Sequence, residues 1–296
     1  MRRFDDFYGC DALIGRLKGV AGEPVHAYLF CGPEGTGKRT LSAICARALN
    51  CAGAGERPCD GCPSCKRYLA GTHPDHIVLA SDKAIGASEV RAAIERLSIR
   101  SYEGGRRTVI VEHADRMTAQ AQNALLKTLE EPPEGAVFFL LAERTAGLLP
   151  TVKSRVRLIR FAELSQDALT DALIRLGHAP ERAAQLAEIA DGSVGKALAL
   201  DKDGDYWALR ERVTRSLSAL HRPADVADAF ALIKDDKAEA RRALEVMEQA
   251  ARARMRGGEE IGARLLQGVM RARKMLQSNV SWQSAVEMLY FDLARP

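Results

Sequence analysis

The sequence predicts an α/β fold in its first half, a parallel sheet with helices on both faces, followed by segments that are wholly helical. Three observations carry that expectation. Short apolar runs alternate with amphipathic stretches between residues 27 and 161, as parallel strands joined by crossover helices require. A Gly-rich loop stands between the first apolar run and the first helical stretch, where a phosphate-binding loop belongs. After Phe161 the strand pattern stops and helical periodicity continues alone. Composition agrees: hydrophobic residues are 47 % and aromatics only 5 %, which with abundant Ala, Leu, Arg and Glu favours packed helices over a β-sandwich. The 296 residues exceed one compact domain, so two or three units are expected.

The elements follow in order. Ala27 to Cys31 (AYLFC) reads as a buried strand and Thr40 to Leu49 as the helix after the loop. His76 to Ala80 reads as a second strand, and Ser88 to Leu97 as a helix with Ser88 as its N-cap. Thr108 to Val111 is a buried-type strand. Thr118 to Glu131 is a helix stopped by Pro132-Pro133, because proline cannot continue a helix and restrains the residue before it. Ala136 to Ala142 (AVFFLLA) is a core strand and Val156 to Phe161 one more. Ser165 to Leu176, Pro180 to Ala190 and Val194 to Leu200 read as short helices, with breaks at Gly177 and Gly192, and Gly204 and Asp205 mark a second boundary. Beyond it, Leu265, Leu266, Val269, Met270 and Met275 fall on one helical face, as do Ala285, Val286, Leu289 and Leu293.

The loop itself is Gly32-Pro33-Glu34-Gly35-Thr36-Gly37-Lys38-Arg39-Thr40. Gly32, Gly35, Thr36, Gly37 and Lys38 fit the phosphate-loop pattern, whose next residue should supply a hydroxyl to magnesium. That place holds Arg39, a cation with no lone pair to give a metal. Thr40 has a hydroxyl, but one residue along a helix points about 100° away. ATP-hydrolysing proteins of this kind also carry acidic residues at the end of a later core strand, for the metal and the attacking water. The matching places here hold Glu112 and His113, with Asp115 beyond the strand edge.

Seven cysteines all lie within the first 65 residues. Cys51, Cys59, Cys62 and Cys65 have the spacing C-x7-C-x2-C-x2-C, which lets four thiolates converge on one tetrahedral ion. Four thiolates close the coordination sphere, so the expected site is structural zinc, with no vacancy for His73 or His76. Cys10, Cys31 and Cys45 read as small buried hydrophobes. The net charge of +4 permits contact with nucleic acid without arguing for it. The N-terminus has no sustained apolar core after its basic residues, and no apolar run reaches the roughly 20 residues of a membrane span. The expectation is a soluble, cytoplasmic protein.

The stretch EHADRMTAQAQNALLKTLEEPPEGAVFFLLA, followed by LLPTVKSRV, resembles the clamp-loader branch of the AAA+ proteins. The GTGK loop, the four-cysteine module, NALLKTLEEPP, the Ser-Arg motif and DGSVGKAL occur in the order that family has, across residues 26 to 200. The departures set this chain with the delta-prime-type members of bacterial DNA polymerase III clamp loaders rather than the hydrolysing gamma/tau-type members. Where the latter have a metal-binding hydroxyl, an Asp-Glu pair, a polar sensor residue and an Arg in the G-S-x-R-x-A-L segment, this chain has Arg39, Glu112-His113, Glu143 and Gly195.

The resemblance implies an AAA+ P-loop core over residues 1–162 with a zinc module at about 50–66, a small helical lid over 163–205 and a helical collar over 206–296. It implies a non-hydrolysing, stator-type subunit of a heteropentamer with gamma/tau and delta subunits, which places a sliding clamp on primed DNA during replication. It also implies that Ser154-Arg155 (the family motif is S-R-C, and here Val156 follows) supplies an arginine finger to the neighbouring ATPase subunit. ATP or ADP in the chain's own loop stays open. So do two alternatives: an active gamma/tau-like ATPase, and a zinc-dependent nucleic-acid-binding protein on an inactive ATPase frame.

Overall fold

A computed structural model describes residues 3–7, 11–20, 24–81, 83–98, 101–102, 104–231, 237–278 and 280–294. They fall into two compact units, residues 1–197 and 198–296. Cys10 lies outside the described residues.

The first unit is built on five parallel strands: β1 (Ala27–Cys31), β2 (His76–Leu79), β3 (Arg107–Val111), β4 (Ala136–Ala142) and β5 (Arg157–Arg160), in the order β2-β3-β4-β1-β5. β1, β3 and β4 are buried at every position, as expected of strands covered on both sides. Their side chains divide by alternation. Leu29, Val109, Val111, Phe138 and Leu140 face α4 (Ala87–Ser98), α5 (Ala119–Glu130) and α6 (Pro150–Lys153). Tyr28, Phe30, Ile110, Val137 and Phe139 face α1 (Asp11–Val20) and α2 (Lys38–Leu49). Each large apolar side chain fully buried there is worth about 1.5–3 kcal/mol of transfer free energy. α3 (Pro63–Leu69) follows α2, and α7 (Gln166–Arg175), α8 (Pro180–Ile189) and α9 (Val194–Lys202) follow the sheet.

Local signals place the helix ends. Thr118 and Ser165 cap α5 and α7, each hydroxyl accepting from the backbone N–H three residues on. α4 departs from expectation. It begins at Ala87, so Ser88 is its second residue rather than its cap. Glu89 reaches back to accept from the Gly86 N–H at 2.6 Å, and that contact sets the helix start.

The second unit holds α10 (Gly204–Ala219), α11 (Val226–Ala231), α12 (Lys237–Arg256), α13 (Glu260–Gln277) and α14 (Trp282–Ala294). Ser216, fully buried, donates to the Ala229 carbonyl at 2.7 Å and meets the Tyr290 hydroxyl at 2.6 Å. Burial pushes that phenol up to about 12. On α13, Met270 is 65 % exposed, contrary to its expected inward face. Gly262, Gly268 and Ala272 are buried instead. A side chain at Gly262 would collide with the α12 backbone, meeting Ala251 O at 2.8 Å and Met255 N at 2.7 Å. Close helix approach through glycine turned the face away from the bulky methionine.

Candidate functional sites: the phosphate loop, Arg155 and the cysteine cluster

The phosphate loop runs from the end of β1 into α2, with Gly37 at φ 90° as the N-cap. That left-handed conformation is open to glycine and costly for other residues. The loop is engaged with its own chain. Lys38 Nζ donates to the Gly32 and Pro33 carbonyls at 2.6 and 2.7 Å. Thr36 Oγ1 donates to Pro33 O at 2.7 Å. Burial holds the Lys38 ammonium below its ordinary range, partly offset by Glu143 and other nearby anionic groups. Thr40 is half-buried on α2.

Arg39 and Glu112, the two departures in the metal-binding places, meet. Arg39 Nε lies 2.8 Å from Glu112 Oε1. The Arg39 side chain is 76 % exposed, so the pair adds at most about 1 kcal/mol to stability. Its consequence is chemical: the carboxylate at the end of β3 is paired with a guanidinium from the start of α2. His113 sits at φ 50° and opens the short turn at 114–116. Asp115 Oδ2 accepts from the backbone N–H groups of Glu143 and Arg144 at 3.1 and 3.3 Å. It thus ties the end of β3 to the end of β4. Glu143, in the sensor place, is ion-paired with Arg116 at 3.1 Å.

The first turn of α9 closes on the same loop. Gly195 N–H donates to Gly35 O at 3.0 Å. A β-carbon at residue 195 would lie 2.9 Å from Gly35 Cα and 3.1 Å from its carbonyl oxygen. Gly195, noted in the sequence as a missing Arg, is what lets the two main chains touch.

Ser154 and Arg155 follow α6. Arg155 Nη1 donates to Thr151 O at 2.9 Å and to Ser154 Oγ at 3.1 Å, and Nη2 lies 2.6 Å from Glu130 Oε1 at the end of α5. Glu130 lies inside the NALLKTLEEPP segment, yet nothing in its spacing from Arg155 reveals the pairing.

The four cysteine sulfurs lie within 4.8 Å of one another. A tetrahedral tetrathiolate zinc has sulfur–sulfur edges of about 3.8 Å, so this donor set fits zinc with slight contraction. Cys51, Cys59 and Cys62 sulfurs accept from the N–H groups of Cys59, Cys62 and Cys65 at 3.3, 3.4 and 3.4 Å. The N–H groups of Cys62 and Gly61 hold the Cys59 thiol down to about 6. Burial works against ionisation of Cys62, but N–H groups of Cys65 and Ala52 bring it below the ordinary value. Burial pushes Cys65 up. Beside the cluster, Arg47 of α2 is 5 % exposed and its Nε lies 3.1 Å from Asp60 Oδ1. A polar string ties the module to the sheet: Asn50 donates to Tyr68 at 2.6 Å, and both Tyr68 and His76 meet Thr108 Oγ1 at 2.9 Å. These anchors lie outside any motif. Cys31 and Cys45 are buried, as expected.

A family model described as DNA polymerase III, delta subunit, matches residues 17–165. The DNA polymerase III subunit delta' of Bacillus subtilis is 35 % identical over 211 residues, covering 71 % of this chain and 63 % of the relative. That of Escherichia coli is 35 % identical over 240 residues, covering 75 % and 67 %. The chain thus aligns with about two thirds of each relative's length. A solved DNA polymerase III gamma subunit-related protein of Thermotoga maritima shares the fold, with a TM-score of 0.50 at 17 % identity over 95 % of this chain and 98 % of that one.

Proposed function

This chain belongs to the DNA polymerase III delta-prime family, and from that premise we propose that it is a stator-type clamp-loader subunit that does not hydrolyse ATP. In this reading residues 1–162 are the AAA+ core, 163–205 the lid and 206–296 the collar through which the chain joins gamma/tau and delta subunits. The ring so formed loads a sliding clamp onto primed DNA. This subunit contributes shape and an arginine, not turnover.

The observation that carries the reading is the Arg39–Glu112 ion pair at 2.8 Å. A nucleotide's magnesium would need the Arg39 place for a hydroxyl and the Glu112 carboxylate for itself. A guanidinium supplies no ligand and repels a second cation. His113 adds no carboxylate base, and Lys38 is already satisfied by two loop carbonyls. Arg155 reaches the neighbouring subunit's ATP, where a guanidinium offsets charge that develops on the transferred phosphoryl group. Cys51, Cys59, Cys62 and Cys65 hold a structural zinc that cross-links a segment too polar to fold alone.

Two measurements test this. The purified chain should release phosphate from magnesium-ATP at background rate, and Lys38→Ala should change nothing. In the reconstituted ring, Arg155→Ala should lower DNA-stimulated turnover at the adjacent site by about 10³-fold. Magnesium-dependent turnover by the lone chain, abolished by Lys38→Ala, would overturn the stator reading.

A further inference from the structure

An arginine on a long flexible side chain loses rotamer entropy when it must present a fixed set of donors. A finger held in place beforehand avoids that loss in the transition state. Three groups of this chain already hold Arg155. Two are local, the Thr151 carbonyl and the Ser154 hydroxyl, and both take Nη1. The third comes from a different element: Glu130, the last residue of α5, takes Nη2 at 2.6 Å. Three of the guanidinium's five N–H donors are thereby used. The Nε–H and one Nη2–H remain for phosphate oxygens.

The mount beneath this contact is stiff. Leu129 of α5 and Val152 of α6 are buried at 1 % and 0 % in the same core. Gln122 of α5 is 3 % exposed and grips the approach to α6 from both sides. Its amide nitrogen donates to Gly147 O at 2.9 Å and its oxygen accepts from Leu149 N at 2.7 Å. The turn carrying Arg155 is therefore fixed to α5 at its start by Gln122 and at its end by Glu130.

We propose that Glu130 is the positioning residue for Arg155, holding the guanidinium by one nitrogen so that its remaining donors face the neighbouring subunit. The proposal rests on the finger reading of Arg155. The carboxylate acts on orientation, so its loss lowers the rate of phosphoryl transfer without weakening ATP binding next door. Aspartate, shorter by one methylene, keeps the charge and restores part of the alignment. Glutamine keeps the shape and loses the charge-assisted bond.

The experiment uses the reconstituted ring with primed DNA and clamp, measuring kcat and KM for ATP with Glu130→Ala, Glu130→Gln, Glu130→Asp, Arg155→Ala and Glu130→Ala/Arg155→Ala. The melting temperature of each isolated subunit serves as the folding control. Expected are a fall in kcat of about tenfold for Glu130→Ala with KM unchanged, a smaller fall for Glu130→Asp, and no further fall when Glu130→Ala is added to Arg155→Ala. An unchanged or raised kcat in Glu130→Ala, with Arg155→Ala impaired, overturns the positioning role and leaves the finger standing. Additive effects in the double variant also overturn it, because they assign Glu130 to something other than Arg155. An unchanged rate in Arg155→Ala removes the finger and this proposal with it.

Discussion

At residue 39 a single side chain changes what the loop can bind. Arg39→Thr restores the hydroxyl and frees Glu112. It should alter stability by about 1 kcal/mol or less, because the Arg39 side chain of the lost pair is 76 % exposed. It should leave the isolated chain at background phosphate release, because His113 is still no carboxylate base. Chemical denaturation and a phosphate-release assay check the two halves of that statement. His76 gives a pH dependence. Burial, reinforced by the neighbouring His73, lowers its imidazole from 6.5 to about 4. Between those values the unfolded chain binds the proton that the folded chain refuses, so stability is fully present above pH 6.5 and declines as pH falls toward 4. The size is about 3 kcal/mol at most. His76→Asn should flatten that part of the stability–pH curve, measured as the difference from the native chain. The departures at 39, 112, 113 and 195 were legible in the sequence because a motif fixes the places. That Arg39 would meet Glu112, or Arg155 Glu130, was not. Those pairs join residues far apart in sequence, and no spacing rule spans them.

Among elements, α5 has the widest reach. Its apolar stripe packs on the sheet, its N-cap Thr118 satisfies an orphan N–H, and Gln122 bonds three backbone groups at Met117, Gly147 and Leu149. Gln122→Ala removes the side-chain partner of the Gly147 carbonyl, on an exposed residue, and of the half-buried Leu149 N–H. It should cost about 1–2 kcal/mol in urea denaturation, with faster amide exchange over residues 145–155. The central strands β1 and β4 and the long helices were readable because each is either uniformly apolar or strongly periodic. α1, α3 and α6 were not. α3 and α6 are one or two turns long, too short to show a period, and α3 starts where Pro63 follows the Cys62 cap. On α13 the hydrophobic pattern misjudged Met270, because the helix packs through Gly262 and Gly268, which carry no hydrophobic signal at all.

For the molecule as a whole, two compact units with separate cores predict unfolding in more than one step. Chelation should shift only the transition of residues 1–197, where the cysteine cluster links the end of α2 to α3 and the edge of the sheet. Circular dichroism melts with and without a zinc chelator check this, and a uniform shift of every transition would contradict it. The parallel sheet and the helical region after it were legible, since alternation of strand and helix stops where the sheet stops. The contact between Gly195 and Gly35 was not, because two glycines offer no chemistry to notice. Yet that contact has the broadest reach. A latch made main chain to main chain involves no side chain, so substitutions all around it leave it fastened. Only a residue larger than glycine at 35 or 195 would prise the first turn of α9 off the loop.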